Sequence, residues 1–259
     1  MSYELTTRTW LSVMRRAVGA PKISPRGMPT QELLHNTTSW EMEYPMILLA
    51  ERRLNFKFMF AEAYWILSGS NSLKFLTPYC AEIAKFSDDG ETLSGAYGVP
   101  LLEQAGPVLQ KLVDEPDTRQ AIITLWKPNF GSKDVPCTVC LQFLIRNGRL
   151  DLSVYMRSSD IWLGLPYDVF TFSMIGWWIT LNLRHIWDSR SLEVGRLNIT
   201  AGSQHLYEQN KTRVSECLNA KIDFERIGAI RPMSLYGLNT PDDLMKWLGT
   251  RRDNPKIEI

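Results

Sequence analysis

Hydrophobic and polar positions alternate with two different periods along this chain, and the change of period marks the elements. "FKFMFAEAYWILSG" (56–69) is apolar at helical spacing and meets a glycine at 69, so it predicts a helix stopped there. "LLEQAGPVLQKLV" (101–113) predicts an amphipathic helix with a break at Gly106–Pro107. "RQAIITLWKP" (119–128) is rich in strand formers. "VCLQFLIRNGRLDLSVYMR" alternates on both sides of Asn147–Gly148 and predicts a hairpin turning at that pair. "VFTFSMIGWWITLNLRHI" (169–186) is apolar nearly all round, the pattern of a buried central helix. "SLEVGRLNITAG" (191–202) predicts another strand, and "SQHLYEQNKTRVSECL" (203–218) the opening of a helix. Helices and strands come in mixed order, which predicts an α+β fold, a mixed β-sheet packed with helices, and not a regular βαβ series.

Composition narrows the class. The 259 residues are 44% hydrophobic, enough for a sizeable core, and lack repeats or a long Gly/Ser/Pro linker, so one domain over 1–259 is expected. Net charge is +1, from 29 basic and 28 acidic side chains, which argues against a broad nucleic-acid-binding face. The first twenty residues lack the apolar core of a secretory signal, and "MIGWWITLNL" (174–183) is too short to span a bilayer. A soluble cytoplasmic protein is expected, with no membrane partner and no stable nucleic-acid partner.

Four cysteines, at 80, 137, 140 and 217, are too few for a disulfide scaffold of this length. Cys137 and Cys140 form a C-x-x-C, but no second ligand pair has metal-type spacing, and the motif lies on a strand pattern, so no metal is expected. G-x-G-x-x-G and P-loop motifs are absent.

Two segments carry candidate chemistry. Cys137 follows Pro136 where the chain enters an apolar strand; a cysteine there is usually a small buried hydrophobe. The reactive alternative needs positive charge to stabilise a thiolate. Pairing across the Asn147–Gly148 turn brings "YMRSSD" beside it, with Arg157, Ser158 and Asp160. Arg157 and Asp160 also admit a plain reading as a surface ion pair. The second segment is "IWLGLPYDVF" (161–170), where Asp168 is the one acidic residue in an otherwise apolar run. A buried carboxylate costs several kcal/mol unless it is satisfied. Its partner is either another part of the protein, as for an aspartate capping a helix that begins near Val169, or a ligand.

The segments "EPDTRQAI", "VPCTVCLQF", "YMRSSDIWLGLPYDVFTFSMI" and "AGSQHLYEQN" resemble, in order and spacing, those of the thymidylate synthase family. "PRGMPTQEL", "AEAYWILSG" and "GAYG" are similar to its phosphate-loop, glutamate and tyrosine segments, so the likeness covers roughly residues 25 to 215. The resemblance implies a homodimer joined through a sheet face, with active sites completed by the partner, and 5,10-methylenetetrahydrofolate as co-substrate. It implies catalytic roles for Cys137 as nucleophile, Glu62 in proton transfer, Tyr97 near pyrimidine C5, and Asp168 on the base. Nucleotide binding would fall to Arg26, Arg157 and Ser158 on the phosphate, with Arg119 reaching across from the second subunit. His205 and Tyr207 would bind the sugar, and Asp160 and Gln142 the rest of the nucleotide. For His205 the plain alternative is a polar residue at a helix N-terminus. Folate would meet Ile83, Phe86, Asp160 and Gly164.

Departures from the family pattern refine the expectation. Asp168 stands where synthases carry an asparagine that matches uracil; a carboxyl that holds a proton matches cytosine instead. Aspartate there, and Thr138 after the cysteine, resemble the deoxycytidylate hydroxymethylases of the family, which supply modified cytosine for viral DNA. Ile83 and Phe86 replace two tryptophans; a smaller Ile83 would open the reacting carbon to water. Gln120 replaces a second arginine. The expected reaction is therefore hydroxymethylation of dCMP at C5. CMP or dUMP as substrate, and a catalytically silent nucleotide- or RNA-binding relative, are the alternatives.

Overall fold

The computed structural model describes residues 2–230, 235 and 237–255. Its centre is a six-stranded sheet in the order β1-β2-β6-β5-β4-β3. The strands are β1 (Lys22–Ile23), β2 (Thr30–Glu41), β3 (Ile122–Thr124), β4 (Thr138–Arg146), β5 (Arg149–Asp160) and β6 (Glu193–Tyr207). All neighbours are antiparallel except β5 and β6, which are parallel. The helices are α1 (Tyr3–Val18), α2 (Phe56–Leu67), α3 (Leu73–Leu76), α4 (Gly98–Asp114), α5 (Leu165–Ile186), α6 (Lys211–Asn219), α7 (Phe224–Ala229) and α8 (Pro241–Asp253). The mixed α+β architecture expected from the pattern is the one observed. Among the described residues no helix is long and apolar enough to cross a membrane.

The hairpin forms where expected. Asn147 and Gly148 both take positive φ (50° and 71°), as a type I′ turn requires. Along β5, Leu150, Leu152, Val154 and Met156 are buried while the residues between them are not. One face of the sheet therefore lies against helices, and α5 crosses over it to connect the parallel pair. The opposite face carries Tyr155, which is 43% exposed.

Several predicted bounds move. Helix α4 runs unbroken from Gly98 to Asp114 with Pro107 inside it, so the expected break at 106–107 is not there. The strand expected over 119–128 shrinks to β3, an edge strand paired only with β4. The segment 203–207 is not the opening of a helix. It extends β6, because β2 and β5 hold it on both sides: Thr30 pairs with Tyr207 and Asp160 with His205. The helix begins at Lys211. His205 is thus a strand residue, and the helix N-terminus reading of it falls.

The central helix begins at Leu165, four residues earlier than Val169, with Pro166 in its first turn. Asp168 lies inside that turn and Gly164 holds the capping position, so Asp168 is not the cap. Glycine is required at Gly98 for packing: a Cβ there would stand 2.7 Å from the Ile66 carbonyl oxygen, so only a glycine lets α4 start against the end of α2.

Candidate active site

The nucleophile candidate sits where a loop enters β4. The Arg157 amide donates to the Cys137 carbonyl at 2.9 Å, so the two residues stand opposite each other across the hairpin. The Arg157 guanidinium then turns onto the loop, donating through Nε to the Pro136 carbonyl (2.9 Å) and through Nη2 to the Val135 carbonyl (2.8 Å). The same Nη2 stands 3.8 Å from the Cys137 sulfur. Burial pushes the thiol above its ordinary value; the charge of Arg157 opposes this without overcoming it. The positive charge predicted beside the cysteine is present, but the free protein holds the thiol protonated.

Three elements bring side chains whose charges reach that thiol directly or by way of Asp168. From the start of α4, Tyr97 accepts a hydrogen bond through its hydroxyl from the Thr138 amide at 3.2 Å, and its ring stacks on Phe172. Burial first, then the charges of Cys137 and Asp168, push the phenol far up, so it stays neutral. From α2 comes Glu62, whose carboxyl is pushed up to about 8 by burial and by the charge of Asp168. From α5, Asp168 is pushed up to about 7 by burial and then by Asp160. Each of these side chains keeps a partial opening to solvent although protein surrounds it. Near-complete enclosure with a remaining opening is what a ligand-binding cleft requires. Two carboxyls that ionise near neutrality, beside a thiol, can give and take protons at physiological pH.

The parallel pair supplies the other wall. Ser158 pairs with Ser203 and Asp160 with His205. Asp160 accepts through Oδ1 from the Trp162 and Leu163 amides, both at 2.8 Å. Burial raises Asp160 and lowers His205, while each favours the charged form of the other. The rings of His205 and Tyr207 meet edge to face at 5.0 Å. Arg26, exposed in a short turn at φ 55°, extends its charge to both Cys137 and His205.

Ile83 and Phe86 lie on a short 3-10 helix, Ala81–Phe86; Ile83 packs on the core and Phe86 is half exposed. Lys133 ties the next residues to the loop before Cys137, through its amide to Asp88 (3.0 Å) and Nζ to the Ser87 carbonyl (3.2 Å). Arg119 and Gln142 lie apart from this group. Gln142 is five residues along β4 from Cys137, about 17 Å at strand rise, and its amide donates to the Arg119 carbonyl at 2.9 Å. Residue Ile259 lies outside the described residues. Among those described, no cluster of His, Cys, Asp and Glu forms a metal site.

Two residues at the site were not anticipated. Arg52 is buried, donates through Nη2 to the Trp162 carbonyl at 2.5 Å, and lies over the Trp162 ring at 4.3 Å. Nothing in "LLAERRLNF" distinguishes it from an exposed arginine. Thr171, whose hydroxyl favours the ionised form of Glu62, follows Asp168 by three residues on α5. That helical spacing was a signal for it.

The sequence model of the thymidylate synthase family matches residues 10–229, most of the chain and all of the cleft. The chain belongs to the thymidylate synthase family. Among curated relatives it is 33% identical over 209 residues to a protein of Bacillus phage SP01 named deoxyuridylate hydroxymethyltransferase. That match takes in 71% of this chain and 52% of the phage protein, so the chain spans about half the length of the curated relative it matches. Within the thymidylate synthase family match lie Cys137, Glu62, Tyr97 and Asp168, with the Asp168 charge acting on each of the other three.

Proposed function

We propose that this thymidylate synthase family member is a hydroxymethyltransferase that moves a one-carbon unit from 5,10-methylenetetrahydrofolate to C5 of a pyrimidine nucleoside monophosphate, and that its nucleotide is dCMP. Support for the reaction class comes from family membership and from the named activity of the phage relative. Support for the base comes from Asp168, a carboxyl enclosed in the cleft that still holds a proton near neutrality. A protonated acid donates to cytosine N3 and accepts from the 4-amino group; a mismatch leaves buried polar groups unpaired, worth roughly 1–3 kcal/mol each.

In this reading Cys137 loses its proton and its sulfur bonds to C6 of the ring. The C5–C6 π electrons shift to C5, which bonds to the one-carbon unit. The C5 proton leaves with help from Tyr97 and Glu62, and tetrahydrofolate departs as its bond to that carbon breaks. Water adds to the exocyclic methylene as the C6–sulfur bond breaks, returning the thiolate. Arg26, Arg157 and Ser158 hold the phosphate; His205 and Tyr207 hold the sugar. Ile83, Phe86, Asp160 and Gly164 face the folate. Arg119 and Gln142, apart from the cleft of their own chain, serve a second copy docked on the sheet face that carries Tyr155.

The experiment is a competition. Protein is incubated with methylenetetrahydrofolate and equal dCMP, CMP and dUMP, and products are resolved by mass. A dCMP product heavier by one CH₂O unit, with tetrahydrofolate released, is expected, and Cys137→Ala abolishes it. Product from dUMP alone favours the second reading, a deoxyuridylate enzyme like the phage relative. Absence of tritium release from C5-labelled nucleotides would leave only a silent binder.

A further inference from the structure

Gly164 occupies a position where its backbone does not need glycine. Its φ and ψ, −94° and −55°, are open to any residue. What a side chain would meet there is the base-facing carboxyl: a Cβ would stand 3.3 Å from Asp168 Oδ2 and 3.4 Å from the Asp160 carbonyl oxygen. The first of these is tighter than ordinary van der Waals contact, so one of the two groups must yield.

The backbone cannot yield easily. Ile161 is held by its amide to the His205 carbonyl (2.9 Å) and by its carbonyl to the Trp10 indole (2.8 Å). Trp162 and Leu163 are held by the Asp160 carboxyl. The Trp162 carbonyl is taken by the buried Arg52. Gly164 itself donates to the Asp160 carbonyl (3.1 Å) and accepts from the amides of Tyr167 and Asp168 (2.9 and 3.0 Å). Every residue from 160 to 164 is therefore anchored to another element or to the turn. The Asp168 side chain, with its rotatable bonds, is the softer partner.

We propose that Gly164 is a positioning residue for base selection: the space left by its missing side chain fixes where the Asp168 carboxyl lies, and the Asp160–Gly164 turn, pinned by Arg52, keeps that space open. This rests on the reading of Asp168 as the residue that meets the base. A methyl group at 164 displaces Oδ2 from the edge of cytosine and loses the paired contact, while leaving phosphate and sugar contacts untouched.

The test is nucleotide binding by titration calorimetry without folate, so that any folate contact of Gly164 drops out. Gly164→Ala is expected to lower the ratio of dCMP to dUMP affinity about tenfold, equivalent to about 1.4 kcal/mol. Asp168→Ala should lose the same discrimination, and adding Gly164→Ala to it should change the ratio no further. An unchanged ratio in Gly164→Ala, a further loss in the double variant, or a variant that fails to fold would each overturn the positioning role. Failure of Asp168→Ala to alter the ratio would instead sink the base reading beneath it.

Discussion

Replacing Glu62 by glutamine should make the protein's stability less dependent on pH. The side chain ionises near 4.5 in an unfolded chain and at about 8 in the folded one. Between those values the native state holds a proton that the unfolded state has released, so stability falls as pH rises through that window. Below it no cost is present, and above it the whole cost is. At about 1.4 kcal/mol per pH unit the gap has a ceiling of about 5 kcal/mol. Part of the gap comes from Asp168, whose charge no longer lies beside Glu62 once the chain unfolds, and glutamine is itself polar in the same place. About 2–3 kcal/mol is therefore the expected gain from Glu62→Gln at pH 9, shrinking towards zero at pH 5. Urea midpoints of both proteins at half-unit steps from pH 5 to 9 measure it. A constant offset across the range would refute the argument, since it would mean that Glu62 is charged in the folded protein throughout.

The remaining predictions follow from single contacts. Arg157→Lys loses the two-carbonyl grip on Val135 and Pro136 and the guanidinium beside the sulfur; the pH midpoint of Cys137 alkylation by iodoacetamide should move up. A midpoint that moves down would contradict the sign given to Arg157. Asp168→Asn restores the amide that matches uracil, and in the competition assay preference should move from dCMP towards dUMP by about 5- to 150-fold, about 1–3 kcal/mol. Gly98→Ala forces a methyl against the Ile66 and Ser70 carbonyl oxygens, at 2.7 and 3.0 Å. It should cost about 2–3 kcal/mol in a denaturant titration, with nucleotide preference unchanged.

The parts of the fold readable in the sequence are those where one local signal suffices. The α5 segment is apolar on every side, and Asn147–Gly148 demands positive φ, so helix and hairpin follow from neighbours in the chain. The opposition of Cys137 and Arg157 follows from the hairpin in turn. Elements decided by distant partners did not show. The sequence "SQHLY" has no strong strand pattern and is extended because β2 and β5 flank it. Helix α1 buries Trp10, Leu11 and Met14 yet intersperses them with Arg8, Arg15 and Arg16, and it was read only as lacking a signal core. In the cleft, residue types pointed to Glu62 and Asp168 one at a time. The effect of the Asp168 charge on Glu62, and the burial that outweighs Arg157 at the thiol, arise only when α2, α5 and β4 meet.

The parallel pairing of β5 with β6 constrains how this chain can change over generations. Side chains alternate between faces, so deleting one residue within β6 would exchange His205 and Gln204 between cleft and core. Lengthening the connection between Ile186 and Glu193 leaves the downstream register intact, because the partners of Ser203 and His205 are set by β5 itself. Insertions in related chains should therefore accumulate in that connection and be purged from the strands. Gene libraries carrying random single-codon deletions, selected for nucleotide binding, would display that division directly.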